Sequence, residues 1–451
     1  MAAESLVGSV PDDWTLTTLG DACQRGGGDV QTGPFGSQLH AADYVPDGIP
    51  SIMPQNIGDN RIVEDGIARI TLADAERLAR YRVKAGDIVY SRRGDVERRA
   101  LVRTTEDGWL CGTGCLRVRF GDDNVVPAYA SYYLGHPSVR EWIVRHAHGA
   151  TMANLNTSIL SSLPFVVPPP LQQRAIAHVL GTLDDKIELN RRMNQTLEAI
   201  ARALFTSWFV DFDPVHAKAE GRQPEGMNAE TAALFPSEFE ESDIGSTPQG
   251  WRVEPLSMAA HVNPGRPLRR GDVAPYLDMA NVPITGSRAN TWVNRPFGSG
   301  ARFQNGDVLV ARITPCLENG KTAFVDFLND EQVGWGSTEF IVLRSRAPLP
   351  PVWAYCLARD SNFREYSIRS MGGTSGRQRV PAEAVSRFKV VIPADPIAER
   401  FTRIVEPLFD AIKHYDEESR ILASVRNTLL PRLLSGELPL PVADALVEAA
   451  L

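Results

Sequence analysis

The chain has 451 residues, 43% hydrophobic and 23% charged, with a formal net charge of -8. This is a globular composition with room for two or three sizeable cores, which excludes a disordered or fibrous protein. Five scattered cysteines, an odd number, argue against a disulfide framework. No apolar run approaches the roughly 20 residues that span a bilayer, and the N-terminus lacks the basic start and apolar stretch of a secretion signal. A cytoplasmic protein without a membrane partner is expected.

In chain order, Trp14 in D-W-T-L-T-T-L-G opens a region of short strands and loops. K-A-G-D-I-V-Y (Lys84 to Tyr90) reads as a Gly-Asp turn entering an apolar strand. The following S-R-R-G-D-V-E-R-R reads as a loop carrying Arg92, Arg93, Arg98 and Arg99, in a stretch from Arg80 to Arg103 where eight basic residues face three acidic ones. A helical pattern over Val126 to Trp142, a loop at Gly149-Ala150-Thr151 and the strand F-V-V-P complete a first globule over 1–168.

A long helix is expected over 169–209, where Ile176, Leu180, Leu183, Ile187, Asn190, Asn194, Leu197, Ala201 and Leu204 alternate by four and three as a heptad seam. Residues 210–250 hold nine acidic residues against two basic ones and read as a partly ordered acidic connector. A second globule over 251–393 repeats the first: Trp251 in G-W-R-V-E-P-L, Q-N-G-D-V-L-V (Gln304 to Val310), P-V-W-A-Y-C-L, Gly373-Thr374-Ser375, and V-V-I-P. Between Pro264 and Val380, fifteen basic residues face ten acidic ones. A second long helix over 394–438 places Ile404, Leu408, Ile412, Tyr415, Ser419, Leu422, Val425, Leu429 and Leu433 at a spacing near 3.6, before a C-terminal tail over 439–451.

The order globule, helix, globule, helix marks an internal duplication, with Gln173-Arg174 answered by Glu399-Arg400. The expected fold is α/β (α+β): two domains of mixed sheet and short helices, separated by two long antiparallel coiled-coil helices with a pseudo-twofold relation. Each helix, roughly 50 Å long at 1.5 Å per residue, needs a long apolar partner. The simplest is the other helix; the alternative is that each lies along its own globule. Asn190 and Asn194 are costly in such a seam unless they are paired.

Catalytic signatures fail one by one. G-K-T at Gly320 to Thr322 lacks the glycine a phosphate-binding loop needs five residues earlier, where Pro315 stands. Cys111 and Cys115 have the wrong spacing for a zinc knuckle, and Asp211 with Asp213 lack a third ligand. His146 and His148 lack an acidic partner pattern, there is no G-x-S-x-G, and Asn263-Pro264-Gly265 is not the Asn-Pro-Pro-aromatic run of an amino-methylating enzyme. A non-catalytic chain with no metal or cofactor of its own is expected.

The whole pattern resembles the DNA specificity (S) subunits of type I restriction-modification systems. The resemblance rests on T-G-P-F-G-S (Thr32 to Ser37), D-Y-V-P-D-G-I-P (Asp43 to Pro50) and G-A-T-M-A-N-L-N (Gly149 to Asn156). It continues through the run from Leu163 to Ile187, F-T-S-W-F-V-D-F-D-P-V (Phe205 to Val215) and L-L-P-R-L-L-S-G-E-L (Leu429 to Leu438). Gln172-Gln173 departs from the family's usual Glu-Gln, and P-A-D-P-I-A-E-R is a degenerate second copy.

The resemblance implies two target recognition domains that read the halves of a split, asymmetric DNA sequence, with the helices as a ruler between them. It also implies methyltransferase (M) subunits, two in number, docked on the helices, and restriction (R) subunits that join to cleave. S-adenosylmethionine, ATP and Mg²⁺ are then expected on those partners. The alternative is a non-catalytic coiled-coil scaffold that binds DNA without sequence choice.

Candidate DNA contacts follow from chemistry. Arginine forks bind guanine edges or phosphates, which selects Arg92, Arg93, Arg98 and Arg99 in the first globule. In the second it selects Arg266, Arg269, Arg270, Arg312, Arg377 and Arg379, with Lys321 as a further cation. Thr151, Asn154, Asn156, Thr374, Ser375 and Gln378 either bond DNA or serve turn chemistry. Phe35 is expected in the core.

Overall fold

The computed structural model describes residues 3–121, 125–149, 153–289, 291–374, 376–448 and 450. The chain divides into two compact units, Met1–Glu188 with Arg420–Leu451, and Leu189–Ser419. Each is a mixed α/β globule whose core includes segments of two long helices, α1 (Pro170–Phe209) and α2 (Asp395–Leu434).

In the first unit, β1 (Gly27–Thr32), β2 (Ile88–Ser91), β3 (Arg99–Leu101) and β4 (Cys115–Gly121) form an antiparallel sheet in the order β1-β4-β2-β3. The turn entering β2 depends on Gly86, at φ +92, which a side chain would strain. Next to it the buried Asp87 accepts the Lys84 N–H at 2.8 Å and pairs with Arg119 of β4 at 2.6 Å. The opening strand Thr15–Thr18 pairs with the closing strand Pro164–Val167, so both ends of the globule are stitched together before Pro168 to Pro170 lead into α1.

The second unit repeats this scaffold. Here β5 (Ala260–Val262), β6 (Val308–Ala311), β7 (Thr322–Phe324) and β8 (Phe340–Ser345) are ordered β5-β8-β6-β7, again antiparallel. Asp307, fully buried, accepts the Gln304 N–H at 2.8 Å and pairs with Arg344 of β8 at 2.7 Å. Arg252–Pro255 pairs with Lys389–Ile392 as the opening and closing strands. Each unit adds a second four-stranded sheet containing one parallel pair, Ile49–Ile52 with Leu110–Cys111 and Val273–Leu277 with Gly334–Gly336, but the flanking strands are arranged differently.

The acidic segment 210–250 is folded. It forms helices Asp213–Ala219 and Ala229–Leu234 and a hairpin, Phe239–Ser242 with Gly245–Pro248. Phe235 is buried with its ring 5.0 Å from that of Trp208. The hairpin answers Ala3–Ser5 with Gly8–Val10: E-S-L-V-G-S-V-P-D-D-W at Glu4 recurs as E-S-D-I-G-S-T-P-Q-G-W at Glu241. Ser5 Oγ donates to Gly8 O at 2.7 Å and Ser242 Oγ to Gly245 O at 2.6 Å. The second repeat therefore opens inside the acidic segment. At the other end, the expected tail contains a helix, Leu440–Glu448, that buries Ala443 and Val447.

The long helices pair with each other and also share the cores of the globules, so both readings of their apolar stripes hold in part. In the second unit Asn190 Nδ2 donates to Glu418 Oε2 at 2.6 Å, while the Phe209 ring lies 4.9 Å from that of Phe401. Numbers rise along α1 as they fall along α2, which makes the pair antiparallel. Ile412 is buried, Leu197, Leu204, Ile404 and Leu408 pack half-buried against the core, and Tyr415 O accepts a longer bond from Asn190 at 3.4 Å. Asn194 is less well served: its side-chain oxygen is buried without a partner. In the first unit Ile176, Leu180, Leu183, Leu422 and Leu429 are buried in one cluster with Ile187 packed against it. The stripe is wider than one seam. Phe205, Trp208, Phe401, Val405 and Phe409 are buried too, because each helix faces a globule as well as its partner.

Candidate nucleic-acid interface

In each globule part of the candidate set lies at the end of a middle strand of the repeated sheet, Arg92, Arg93 and Asn154 in the first and Arg312 and Arg379 in the second. Arg92 leaves β2 with its backbone held on both sides: its N–H donates to Gly114 O at 2.8 Å and its carbonyl accepts from Leu155 N at 2.9 Å. Arg93 forms a bridge with Asn154, which also bridges His148, so the loop before the closing strand is laid against the arginine loop. Arg93 is exposed, and Arg98 is half-exposed and paired with Asp95 at 3.0 Å. The exposed Phe35 ring lies under the Arg92 guanidinium, 5.8 Å from centroid to cation. That corrects the expectation of a core Phe35, because the residue stands in an irregular loop outside the sheet and opens the turn closed by Gln38 N donating to Phe35 O at 2.8 Å.

Arg99 is a second correction. It is the first residue of β3, only 6% exposed, and its Nε donates to Ser131 O at 2.7 Å. Burial lowers its pKa from the ordinary arginine value. The chain turns at Gly94 (φ +73) and returns to the sheet, so Arg99 is a structural group rather than a loop cation. Asn156 caps the helix Thr157–Ser161 by accepting Ile159 N at 2.8 Å, and the backbone of Asn154 is bridged; its side-chain oxygen is buried without a partner.

In the second globule Arg312 leaves β6 in the same way: its N–H donates to Glu339 O and its carbonyl accepts from Val380 N, both at 2.9 Å. Ile313 bridges Arg379, and Arg379 bridges Gly372. A cavity of about 330 Å³ opens beside it, lined in part by Asn263, Arg266, Arg302, Arg312 and Thr338. Arg266 is tied to Asp307 at 2.9 Å, and Arg379 takes Glu339 at 2.7 Å, a bond that raises its pKa. Lys321 is half-buried and donates to Met279 O at 2.7 Å, so it is committed within the globule. Arg269, Arg270, Thr374 and Arg377 are exposed, and Gln378 O accepts Thr314 N at 3.1 Å. Thr151 and Ser375 lie outside the described residues. Arg302, whose guanidinium stands 5.4 Å from the Phe297 ring, is a cavity residue that sequence reasoning missed; a strand position gives no local sign that it borders a cleft.

Comparison with known proteins gives similarities of one kind. The model of the type I restriction modification DNA specificity domain matches residues 11–199. The HindI type I restriction enzyme specificity subunit of Haemophilus influenzae is 28% identical, over 86% of this chain and 95% of that protein. The first part of the chain thus matches the specificity-domain model, and nearly the whole chain is similar to a type I specificity subunit. A second specificity subunit, MjaIX of Methanocaldococcus jannaschii, is 24% identical over 96% of each chain. The fold agrees with the crystal structure of the S subunit of a type I restriction-modification system from M. genitalium, with a TM-score of 0.52 at 15% identity over 95% of this chain and 98% of that one.

At Gln172, where the resemblance calls for Glu, Oε1 accepts the Trp14 indole N–H at 2.6 Å, a bond that a carboxylate oxygen can also accept. Gln173 is buried and accepts Val126 N at 2.7 Å, fastening the start of α1 to the globule. Among the described residues no group of His, Cys, Asp and Glu is placed to hold a metal ion, and no helix is long and apolar enough to cross a membrane.

Proposed function

We propose that this chain gives a type I restriction-modification complex its sequence choice by binding double-stranded DNA at an asymmetric target split into two half-sites, one for each globule. The observation that carries this reading is the repeated scaffold with unlike loops. The same sheet order and the same buried Asp-Arg pair recur in both units, yet Ser-Arg-Arg-Gly-Asp spans the end of one middle strand and Ala-Arg-Ile-Thr-Pro the end of the other. Equal scaffolds present equal surfaces; unlike loops read unlike bases.

In this reading the chain is non-catalytic and cytoplasmic. Methyltransferase subunits, two to match the two repeats, and restriction subunits dock on it, and they carry S-adenosylmethionine, ATP and Mg²⁺. The failure of every catalytic motif in the sequence supports that division of labour. Selection of bound duplexes from a randomised DNA pool tests it: a split motif with two different halves is expected, whereas a scaffold without sequence choice enriches none. Methylation mapping in cells with the partner methyltransferase, with and without this chain, is the corresponding test in vivo.

A further inference from the structure

We propose that Arg92 and Arg312 are equivalent DNA-contacting residues, one for each half-site, whose guanidinium groups take acceptor atoms of the DNA. This rests on the DNA-reading function above and assigns it to one pair among the candidate cations. Five backbone relationships coincide. Each arginine directly follows the second strand of the repeated sheet, β2 or β6. Each donates its N–H to the residue just before the fourth strand, Gly114 or Glu339. Each carbonyl accepts from a buried residue of the loop before the closing strand, Leu155 or Val380. The next residue bridges that loop, Arg93 to Asn154 and Ile313 to Arg379. The preceding residue takes the start of the third-strand segment, Ser91 N to Arg98 O and Ala311 N to Lys321 O.

The side chains agree with the backbone. Both arginines are half-buried, and both Nε atoms are buried with no hydrogen-bond partner in the chain. An exposed cation such as Arg270 or Arg377 has water. A buried guanidinium N–H without an acceptor costs free energy; Arg117, Arg140, Arg266 and Arg288 share that state at Nε but are each paired with a carboxylate, whereas among the described residues Arg92 and Arg312 have none. Other candidates are already engaged: Arg99 by Ser131, Arg266 by Asp307, Arg379 by Glu339 and Lys321 by Met279. Arg312 lines the cavity together with Arg266 and Arg302, a cationic setting suited to an acceptor-rich group. Two groups of DNA have that chemistry: the O6/N7 edge of guanine, which a guanidinium grips bidentately, and a backbone phosphate.

The test uses the full chain in complex with its methyltransferase subunits, carrying Arg92→Gln, Arg312→Gln or the corresponding lysine variants, and selects bound duplexes from a randomised pool at two salt concentrations. Each glutamine variant should lower affinity for the wild-type target about 5- to 150-fold, and where the contact is a guanine edge Arg92→Gln degrades one half of the split motif and Arg312→Gln only the other. If the contact is a guanine edge, the lysine variants also lose the base preference. If it is a phosphate, the lysine variants restore affinity with the motif intact, and the glutamine variants lower the salt slope by about one. A glutamine variant that fails to fold is replaced by its lysine counterpart, read against the same motif and salt slope. A wild-type motif and affinity left whole by either substitution, or both halves degraded equally by each, overturns the pairing of Arg92 with Arg312. A wild-type pool with no split motif overturns the DNA-reading function itself, and the pairing with it.

Discussion

The Asp184 carboxylate of α1 lies 2.6 Å from the Arg426 guanidinium of α2. The Tyr132 hydroxyl of the first globule donates to the same carboxylate at 2.8 Å, and Asp59 stands 3.7 Å from the guanidinium. Burial first, and Asp184 second, raise the Tyr132 pKa, so the phenol stays a donor. Two helices and a globule meet at one charge pair whose side chains are 16% and 19% exposed.

A pair this buried adds little net stability, but removing one member strands the other. Arg426→Ala should cost about 2–4 kcal/mol, and the double variant Asp184→Asn with Arg426→Met should recover part of it. Urea unfolding of the full chain measures both; a single variant as stable as wild type would remove this pair from the account of how the first globule is held.

Both long helices cross the boundary between the compact units, α1 at Glu188 and Leu189, α2 at Ser419 and Arg420. Inserting one heptad in each helix at that boundary leaves the residues of each unit unchanged and lengthens the pair by about 10 Å at 1.5 Å per residue. The selected half-sites should stay the same while the spacer grows by about three base pairs at 3.4 Å each. Retention of the original spacer would count against the helices as a ruler.

Arg98 and Arg99 are neighbours with opposite roles. Arg99→Ala removes the guanidinium that serves the buried Ser131 carbonyl and should destabilise the chain by about 1–3 kcal/mol. Arg98→Ala, which loses only a pair with the exposed Asp95, should change stability by less than about 0.5 kcal/mol. Thermal unfolding of the two variants side by side reads the contrast, and equal shifts would refute it.

In the second unit Asp326 receives Arg288 at 2.9 Å on one oxygen, while its other oxygen is buried without a partner. Burial raises its pKa from 3.8 to about 6, opposed by Arg288 and Lys413 and reinforced by Asp416 and Glu417. The folded chain thus holds this proton more tightly than the unfolded chain, so the contribution of Asp326 to stability declines as pH rises from 3.8 to about 6. The stability of wild type relative to Asp326→Asn should fall across that window in denaturant titrations. A difference that stays flat with pH would show that Asp326 titrates normally.

Much of the architecture is written locally. K-A-G-D-I-V-Y and Q-N-G-D-V-L-V each carry a turn glycine, a capping aspartate and an apolar strand within seven residues, and both fold as read. The seam residues Ile176, Leu180 and Leu183 needed only helical periodicity to be found. The hairpin repeat at Glu4 and Glu241 was equally legible, although acidic composition alone read its second copy as connector. The candidate site was less legible. Arg92 and Arg99 look alike in one basic stretch, yet one follows a strand half-open and the other starts a strand in the interior.

From the order of its residues alone, this chain declares a duplicated globule-helix plan and two long amphipathic helices, because turns and periodicity depend on near neighbours. Tertiary structure alone decides which side of each helix meets its partner and which meets a globule, and which arginines are spent on the protein itself. Ser131 stands 32 residues from Arg99, and Asp184 stands 242 from Arg426. Burial and charge pairing between groups so far apart arise only when the sheets and helices have closed around them.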